Sequence, residues 1–416
     1  MTIPKEPQSL TELKQRCHHA EQDFRVGENT VCLFSAAASK HANKINYADM
    51  TLPDRFVDVL FRRKSKSFSW QEIRAGWLSV LRELSDKKQL SALYFRMQKE
   101  LEAAKKQPQD FVWLIQDTIT RSLLPHLIND LSIKHRDTLF EDHHNKLAFL
   151  LDEEEQALSF KQKIKNHYHS IRAANIFRST IKKRANGQLP RQRDLLDPLV
   201  DMLPRLGIDR AVDVMATLHT AVNGPPGAAA ACLAYELERH PEWEKRLQQE
   251  FSNLPFNDFV TNPMKSAPLT LAFVKEVLRM WNVPMLVRQA RTEFSVDEHQ
   301  LKQGDIFLLS PYFIHRDPGN WNNPNTFEPK RWLDNTGVPK PGSYVPFGWA
   351  PKSCIGAQLG TLQLMLLAHL LCTQFKLVVS DKSKLNIMMA ALPQPTNFNG
   401  HVRLRRNKEY HEVFRQ

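Results

Sequence analysis

A helical pattern runs from Ile208 to Arg239 and stops only at His240-Pro241, where proline cannot continue a helix. That is a very long helical pattern for a globular chain. Helical patterns dominate the first 280 residues or so. Lys88 to Lys106 reads as amphipathic. Phe111 to Leu124 places Phe111, Leu114, Ile115 and Ile119 on one face, and Pro125 is expected to end or kink it. Asp152 to Glu155 opens a further helix with the acidic start that suits the helix dipole.

The texture changes after Trp281. Phe294 to Val296, Gln300 to Leu301 and Asp305 to Ser310 read as short strands, with Lys302-Gln303-Gly304 as the turn between the last two. Proline and asparagine then cluster from Pro318 to Pro346, an irregular segment of the length that usually serves function. Helix returns at Ala357 to Thr373, and the tail from Phe375 to Leu404 reads as strands. The expected class is mainly α with small β-sheets.

Composition excludes several alternatives. With 42% hydrophobic and 25% charged residues the chain is an ordinary globular one, and no run of 18 apolar residues marks a membrane span. The N-terminus lacks the basic start and apolar block of a signal peptide, so a cytoplasmic location is expected. Five cysteines, odd in number and widely spaced without a CxxC, indicate neither a disulfide framework nor a zinc site. The net charge of +12 is spread in short clusters such as Arg62-Arg63-Lys64 and Lys182-Lys183-Arg184. That pattern suits a solvated basic surface or a docking face for an acidic partner protein better than a nucleic-acid site.

One loop carries chemistry: Phe347-Gly-Trp-Ala-Pro-Lys-Ser-Cys354-Ile-Gly356. A lone cysteine ends a Gly/Pro-containing loop just before a helix. The free N–H groups and positive dipole end of that helix favour a thiolate. A thiolate is a strong axial ligand for haem iron. Phe347 is placed to shield the sulfur, and Lys352 to meet a haem propionate. Taken alone, the loop also reads as a buried cysteine after a turn.

The loop resembles the cysteine loop of the cytochrome P450 family, F-G-x-G-x-[RHK]-x-C-x-G. Phe347, Gly348, Lys352, Cys354 and Gly356 match, and Ala350 stands where the family has glycine. Further motifs follow the family's order. Glu276-Val-Leu-Arg279 matches E-x-x-R, two residues at i,i+3 that share a helix face. Pro284 and Arg288 match the P-x-x-x-R after it, and His315-Arg-Asp-Pro318 a typical H-R-D-P. Phe327-Glu-Pro-Lys-Arg331-Trp332 resembles F-x-P-E-R-W, with Lys330 in the glutamate's place. Trp70-Gln-Glu-Ile-Arg74 resembles the W-x-x-x-R of a helix crossing the haem edge. The resemblance implies a single cytochrome P450 domain over residues 1–416, with a long central helix over haem b. Cys354 would ligate the iron, and Phe347, Lys352, Arg288, Trp70 and Arg74 would contact the haem. Glu276, Arg279 and Arg331 would form a buried charged triad, costly unless fully paired.

The long helix departs from the family. Its A-G-x-[DE]-T-T aligns with Ala221-Val-Asn-Gly-Pro-Pro226, so Gly224 and Pro225 replace the acid–alcohol pair that delivers protons during oxygen activation. Pro225 and Pro226 would free the carbonyls of Ala221 and Val222. A sharp kink or break is expected over Asn223 to Gly227, with Asn223, Gly224 and Pro225 as the catalytic segment. The substrate pocket would be lined by Ala221 to Gly224, Met285-Leu286 and Leu392.

The implied function is a monooxygenase oxidising a small apolar or mixed metabolite, of the kind found in secondary metabolism. It would use dioxygen and electrons from a separate ferredoxin- or flavodoxin-type partner. The missing pair keeps a second reading open, a peroxide-using enzyme or an isomerase, lyase or dehydratase. A non-catalytic haem-binding protein is the third. A monomer without nucleic-acid partners is expected.

Overall fold

The structure is a computed structural model that describes residues 22–26, 28–45, 70–104, 107–150, 160–333, 340–349, 353–389 and 391–405. Lys352, Ala350, the Arg62-Arg63-Lys64 cluster and Asp152 to Glu155 lie outside the described residues, as do the side chains of Trp70 and Asn223.

The fold is mainly helical with small sheets. Its principal helices are α1 (Ala36–Ile45), α2 (Trp70–Glu83), α3 (Lys87–Ala103), α4 (Phe111–Leu127), α5 (Ile133–Leu150), α6 (Phe160–Ala185), α7 (Leu203–Arg239), α8 (Pro241–Ser252), α9 (Pro268–Met280) and α10 (Ala357–Thr373). Local chemistry sets several starts. Asp86 caps α3 by accepting from Gln89 N at 2.8 Å, and Asp110 caps α4 by accepting from Val112 N and Trp113 N. Pro125 does not end α4, which runs on to Leu127.

The long helix also differs from expectation. α7 begins at Leu203, and the residue inside it with non-helical dihedrals is Gly207 (φ 71°, ψ 159°). The turn at Pro225-Pro226 stays helical. A proline φ near −65° is itself a helical φ, and packing of α7 between α4, α5, α6 and α10 holds the residues before each proline in a conformation they otherwise avoid. What the prolines remove is hydrogen-bond donors, not the helical path.

A hairpin of two four-residue strands, β1 (Asp23–Val26) and β2 (Thr30–Leu33), precedes α1 in a region whose pattern reads as helical. β2 pairs in parallel with β6 (Ile306–Leu309), and β3 (Leu286–Gln289) pairs antiparallel on β6's other side. The hairpin of β4 (Phe294–Val296) and β5 (His299–Leu301) leads into β6 through Gly304, whose φ of +97° suits glycine. In the tail, β7 (Phe375–Val379) pairs with β10 (Asn399–Leu404), and β8 (Asn386–Met389) with β9 (Pro393–Thr396). α10 is apolar on all sides and correspondingly buried from Leu362 to Thr373. It lies behind α7, and the site opens between the two.

Candidate functional site

A cavity of about 450 Å³ lies between α7 and the loop that leads into α10. Leu218, Ala221, Val222 and Pro225 form the α7 wall. Phe347, Gly348, Cys354 and Gly356 form the opposite one, and Leu286, Arg288 and Leu392 stand at the side.

The cysteine loop is closed on itself. Cys354 N donates to Phe347 O at 2.8 Å, and Gly348 takes φ +75° to turn the chain. Gly360 N then donates to Gly356 O at 2.8 Å as α10 begins. Of the four described cysteines, Cys32, Cys232 and Cys372 are buried, while Cys354 presents its sulfur to the cavity. The sulfur meets the cavity and not bulk water, so burial raises the thiol's pKa. The Gly356 N–H and the charge of Arg74 pull it back down.

Glu276 organises the loop's support. Arg279 donates to it from Nε (3.0 Å) and Nη2 (2.8 Å), and both residues are fully buried. Arg331 Nε donates to Glu276 Oε1 at 3.1 Å and Arg331 Nη1 to Asn322 O at 2.8 Å. Trp332 Nε1 donates to Glu276 Oε2 at 2.9 Å, and the Glu328 N–H to Oε1 at 2.8 Å. One carboxylate thus accepts from four residues, which offsets the cost of burying it. His315 links this cluster to the cysteine loop. Its Nε2 accepts the Val345 N–H at 2.8 Å, so Nδ1 carries the proton and donates to Arg279 O at 3.0 Å. Burial, then the charge of Arg279, pushes His315 well below the usual histidine range, so the ring is neutral.

Arg288 reaches the cavity and donates from Nη1 to Val287 O at 3.0 Å, with no carboxylate paired to it among the described residues. Burial lowers its pKa. A walled-in guanidinium without a counter-charge, a thiol on one wall and an apolar wall opposite fit an apolar macrocycle with anionic substituents. The residues present therefore fit a haem. Arg74 is half-buried on α2, close enough to bias the Cys354 thiol.

Some expected pocket residues are placed elsewhere. Met285 packs into the core beside the Phe24, Cys32 and Phe34 cluster and does not line the cavity. Gly224 is buried and faces Leu392, whose Cδ1 would lie 3.6 Å from an added Cβ. Leu218, Val283 and Asn43 line the cavity without having been singled out. Leu218 is the one with a signal, since it sits three and seven residues before Ala221 and Pro225 on one face of α7. Trp332 lies within its sequence motif, but the motif does not assign its bond to Glu276.

Residues 126–399 match the sequence model of the family described as Cytochrome P450. The chain is 36% identical over 162 residues to Steroid 17-alpha-hydroxylase/17,20 lyase of Rattus norvegicus, covering 36% of this chain and 31% of that protein. It is 33% identical over 147 residues to the mitochondrial 25-hydroxyvitamin D-1 alpha hydroxylase of Homo sapiens, covering 34% and 29%. These matches span about a third of the relatives' length. The heme domain of cytochrome P450DA superposes with a TM-score of 0.76 at 17% identity, covering 98% of both chains. A retinoic acid-bound cyanobacterial P450 superposes at 0.77 and 19% identity, covering 97% of this chain and 100% of that one. The structures agree in fold, the sequence model covers well over half of the chain, and the chain belongs to the cytochrome P450 family of haem-thiolate enzymes.

Proposed function

We propose that this chain is a monooxygenase that inserts one oxygen atom from dioxygen into a small, apolar or mixed organic molecule, with electrons from a separate ferredoxin- or flavodoxin-type donor. The observation that carries the reading is the cavity itself, with the Cys354 sulfur on one wall and an unbroken apolar face of α7 on the other. The hydroxylase relatives, whose names specify steroid and vitamin D chemistry, support an apolar substrate.

A haem bound here would supply the oxygen chemistry. Cys354 would ligate its iron, with the Gly356 N–H and Arg74 favouring the thiolate. Phe347 would exclude water from the sulfur. Arg288, Arg74 and Lys352 would hold the propionates, and Leu218, Val222, Leu286 and Leu392 would orient an apolar substrate. Pro225, on the cavity wall, offers neither a carboxyl nor a hydroxyl, and Gly224 behind it carries no side chain. That specific feature keeps a second reading, a peroxide-using or substrate-rearranging P450 that needs no proton delivery.

Redox-partner dependence tests the reading. Turnover of an identified ligand should require both reductant and partner protein. Full turnover without them, and without added peroxide, would overturn the monooxygenase and leave an isomerase, lyase or dehydratase.

A further inference from the structure

α7 has a second buried face, turned away from the cavity. Leu218, Ala221, Val222 and Pro225 look into the cavity, whereas His219 and Gly227 meet α4, α5 and α6. The helices packed on this face carry buried polar atoms without a hydrogen-bond partner among the described residues: Gln116 Oε1 and Nε2 and Thr120 Oγ1 on α4, His143 Nε2 on α5, and both ring nitrogens of His219 on α7. Gln116, Thr120, His143 and His219 are all nearly or fully inaccessible. Buried polar groups are ordinarily satisfied, and a set left open on helices packed together marks bound water or a chemical role.

The seam adjoins the altered turn of α7. A β-carbon on Gly227 would fall 1.8 Å from Gln116 Oε1, so the Gln116 amide fills the notch that glycine leaves. Pro225 and Pro226 come immediately before, and their missing N–H groups leave the carbonyls of Ala221 and Val222 without helical donors. Two turns back on α7, His219 Nδ1 lies 3.6 Å from Asp142 Oδ2. Asp142 in turn accepts from Lys146 Nζ at 2.7 Å and from Ser170 Oγ at 3.1 Å. Lys146 is partly exposed, which brings the chain of groups to the surface.

The charge states are defined. Burial pushes Asp142 up, but the neighbouring His219 and Lys146 together outweigh it and keep the carboxylate ionised. Burial lowers His219 more than Asp142 raises it, and Lys146 lowers it further, so the ring is neutral. His143, pushed down to about 3 by burial and then by His219, is neutral too. At 3.6 Å the Asp142 carboxylate attracts an Nδ1 proton electrostatically, which favours that tautomer and leaves the Nε2 lone pair open to the seam.

We propose that this seam holds ordered water and that His219, oriented by Asp142, relays protons through Nε2 from the Lys146 side to the donor-less turn at Pro225-Pro226. The inference rests on the monooxygenase reading. Inserting one oxygen atom takes two electrons and two protons, and the second oxygen leaves as water. The electrons come from the reduced partner, and the seam supplies only protons. At each hop Nε2 takes a proton from one water and returns it to the next, so His219 is unchanged. His219 is the relay residue, and Asp142 is a positioning residue.

The test needs no substrate. Holoprotein given electrons by a ferredoxin and its reductase is assayed for dioxygen uptake in H2O and D2O between about pH 6 and 8. His219→Phe and Asp142→Asn should slow uptake about tenfold and alter its solvent isotope effect and pH profile, with haem content and the carbon monoxide band retained. Lys146→Arg, which keeps the cation beside Asp142, and Lys146→Met, read only where haem content is retained, should shift the pH profile in the same direction by a smaller amount. Nitrogen NMR of the carbon monoxide complex should show His219 protonated on Nδ1, and a ring protonated on Nε2 alone would overturn the orientation. Unchanged uptake and isotope effect in His219→Phe and Lys146→Met would overturn the relay and leave the monooxygenase standing. Wild-type holoprotein that takes up no dioxygen would instead overturn the monooxygenase reading.

Discussion

Arg331 reaches Glu276 across 55 residues of sequence and donates to it at 3.1 Å, so the segment before the cysteine loop is locked to α9 by a buried charge. Removing that charge leaves Arg279 buried without an anion and Arg331 with only the partly exposed Glu328, 3.3 Å away, at a cost of about 3–5 kcal/mol. Glu276→Ala should therefore yield little folded holoprotein. Normal yield and haem content in that variant would remove the cluster from the account.

Trp332 gives a finer test of the same cluster. Its indole N–H donates to Glu276 Oε2 at 2.9 Å. Trp332→Phe keeps most of the ring and deletes that bond to a charged acceptor, worth about 1.5–3 kcal/mol. A lowered denaturation midpoint with haem still bound is the expected outcome, read by urea titration.

Cysteine variants report on the iron ligand. The reduced carbon monoxide complex should show the red-shifted band of thiolate ligation. Cys354→Ala should lose it, while the buried Cys232→Ala and Cys372→Ala keep it. Retention of the band in Cys354→Ala would end the assignment.

Arg288→Ala should fold but release haem faster to an acceptor protein, because no carboxylate partner among the described residues depends on this guanidinium. An unchanged transfer rate would exclude it as a propionate partner.

Acid should destabilise the fold before the carboxylates titrate. His126, His143 and His369 are each pushed down to about 3, chiefly by burial, from 6.5 unfolded. Each therefore contributes stability that is present above about 6.5 and is lost as pH falls towards 3, at up to about 1.4 kcal/mol per unit per ring. Asp117, pushed up to about 6 by burial, works the other way between that value and 3.8, as do Glu100 and Glu250, which burial also raises, while the lowered His219 and His315 rings add to the loss. Urea midpoints should fall steadily from pH 7 to 5. His369→Leu should flatten the slope by about one proton.

What could be read from the sequence follows the range of each rule. Glu276 and Arg279 are three residues apart on one helix, so their pairing is local and legible. Trp332's bond to Glu276 and the parallel pairing of β2 with β6 depend on tertiary approach, which no short pattern encodes. Pro225-Pro226 reads as a break because propensity describes an isolated helix, whereas α7 is held on several sides and stays helical there. Met285 lies next to Leu286 in sequence, yet only Leu286 lines the cavity.

His315 has one further consequence. Both of its ring nitrogens are committed, one to the α9 carbonyl of Arg279 and the other to the Val345 amide just ahead of the cysteine loop. A single neutral ring thus couples the spectroscopic signature of the iron site to the integrity of α9. Heat or denaturant that loosens the helix end has to slacken the loop at the same moment. Ageing preparations should accordingly lose the thiolate band in step with helical ellipticity, with no long-lived folded form carrying a displaced sulfur.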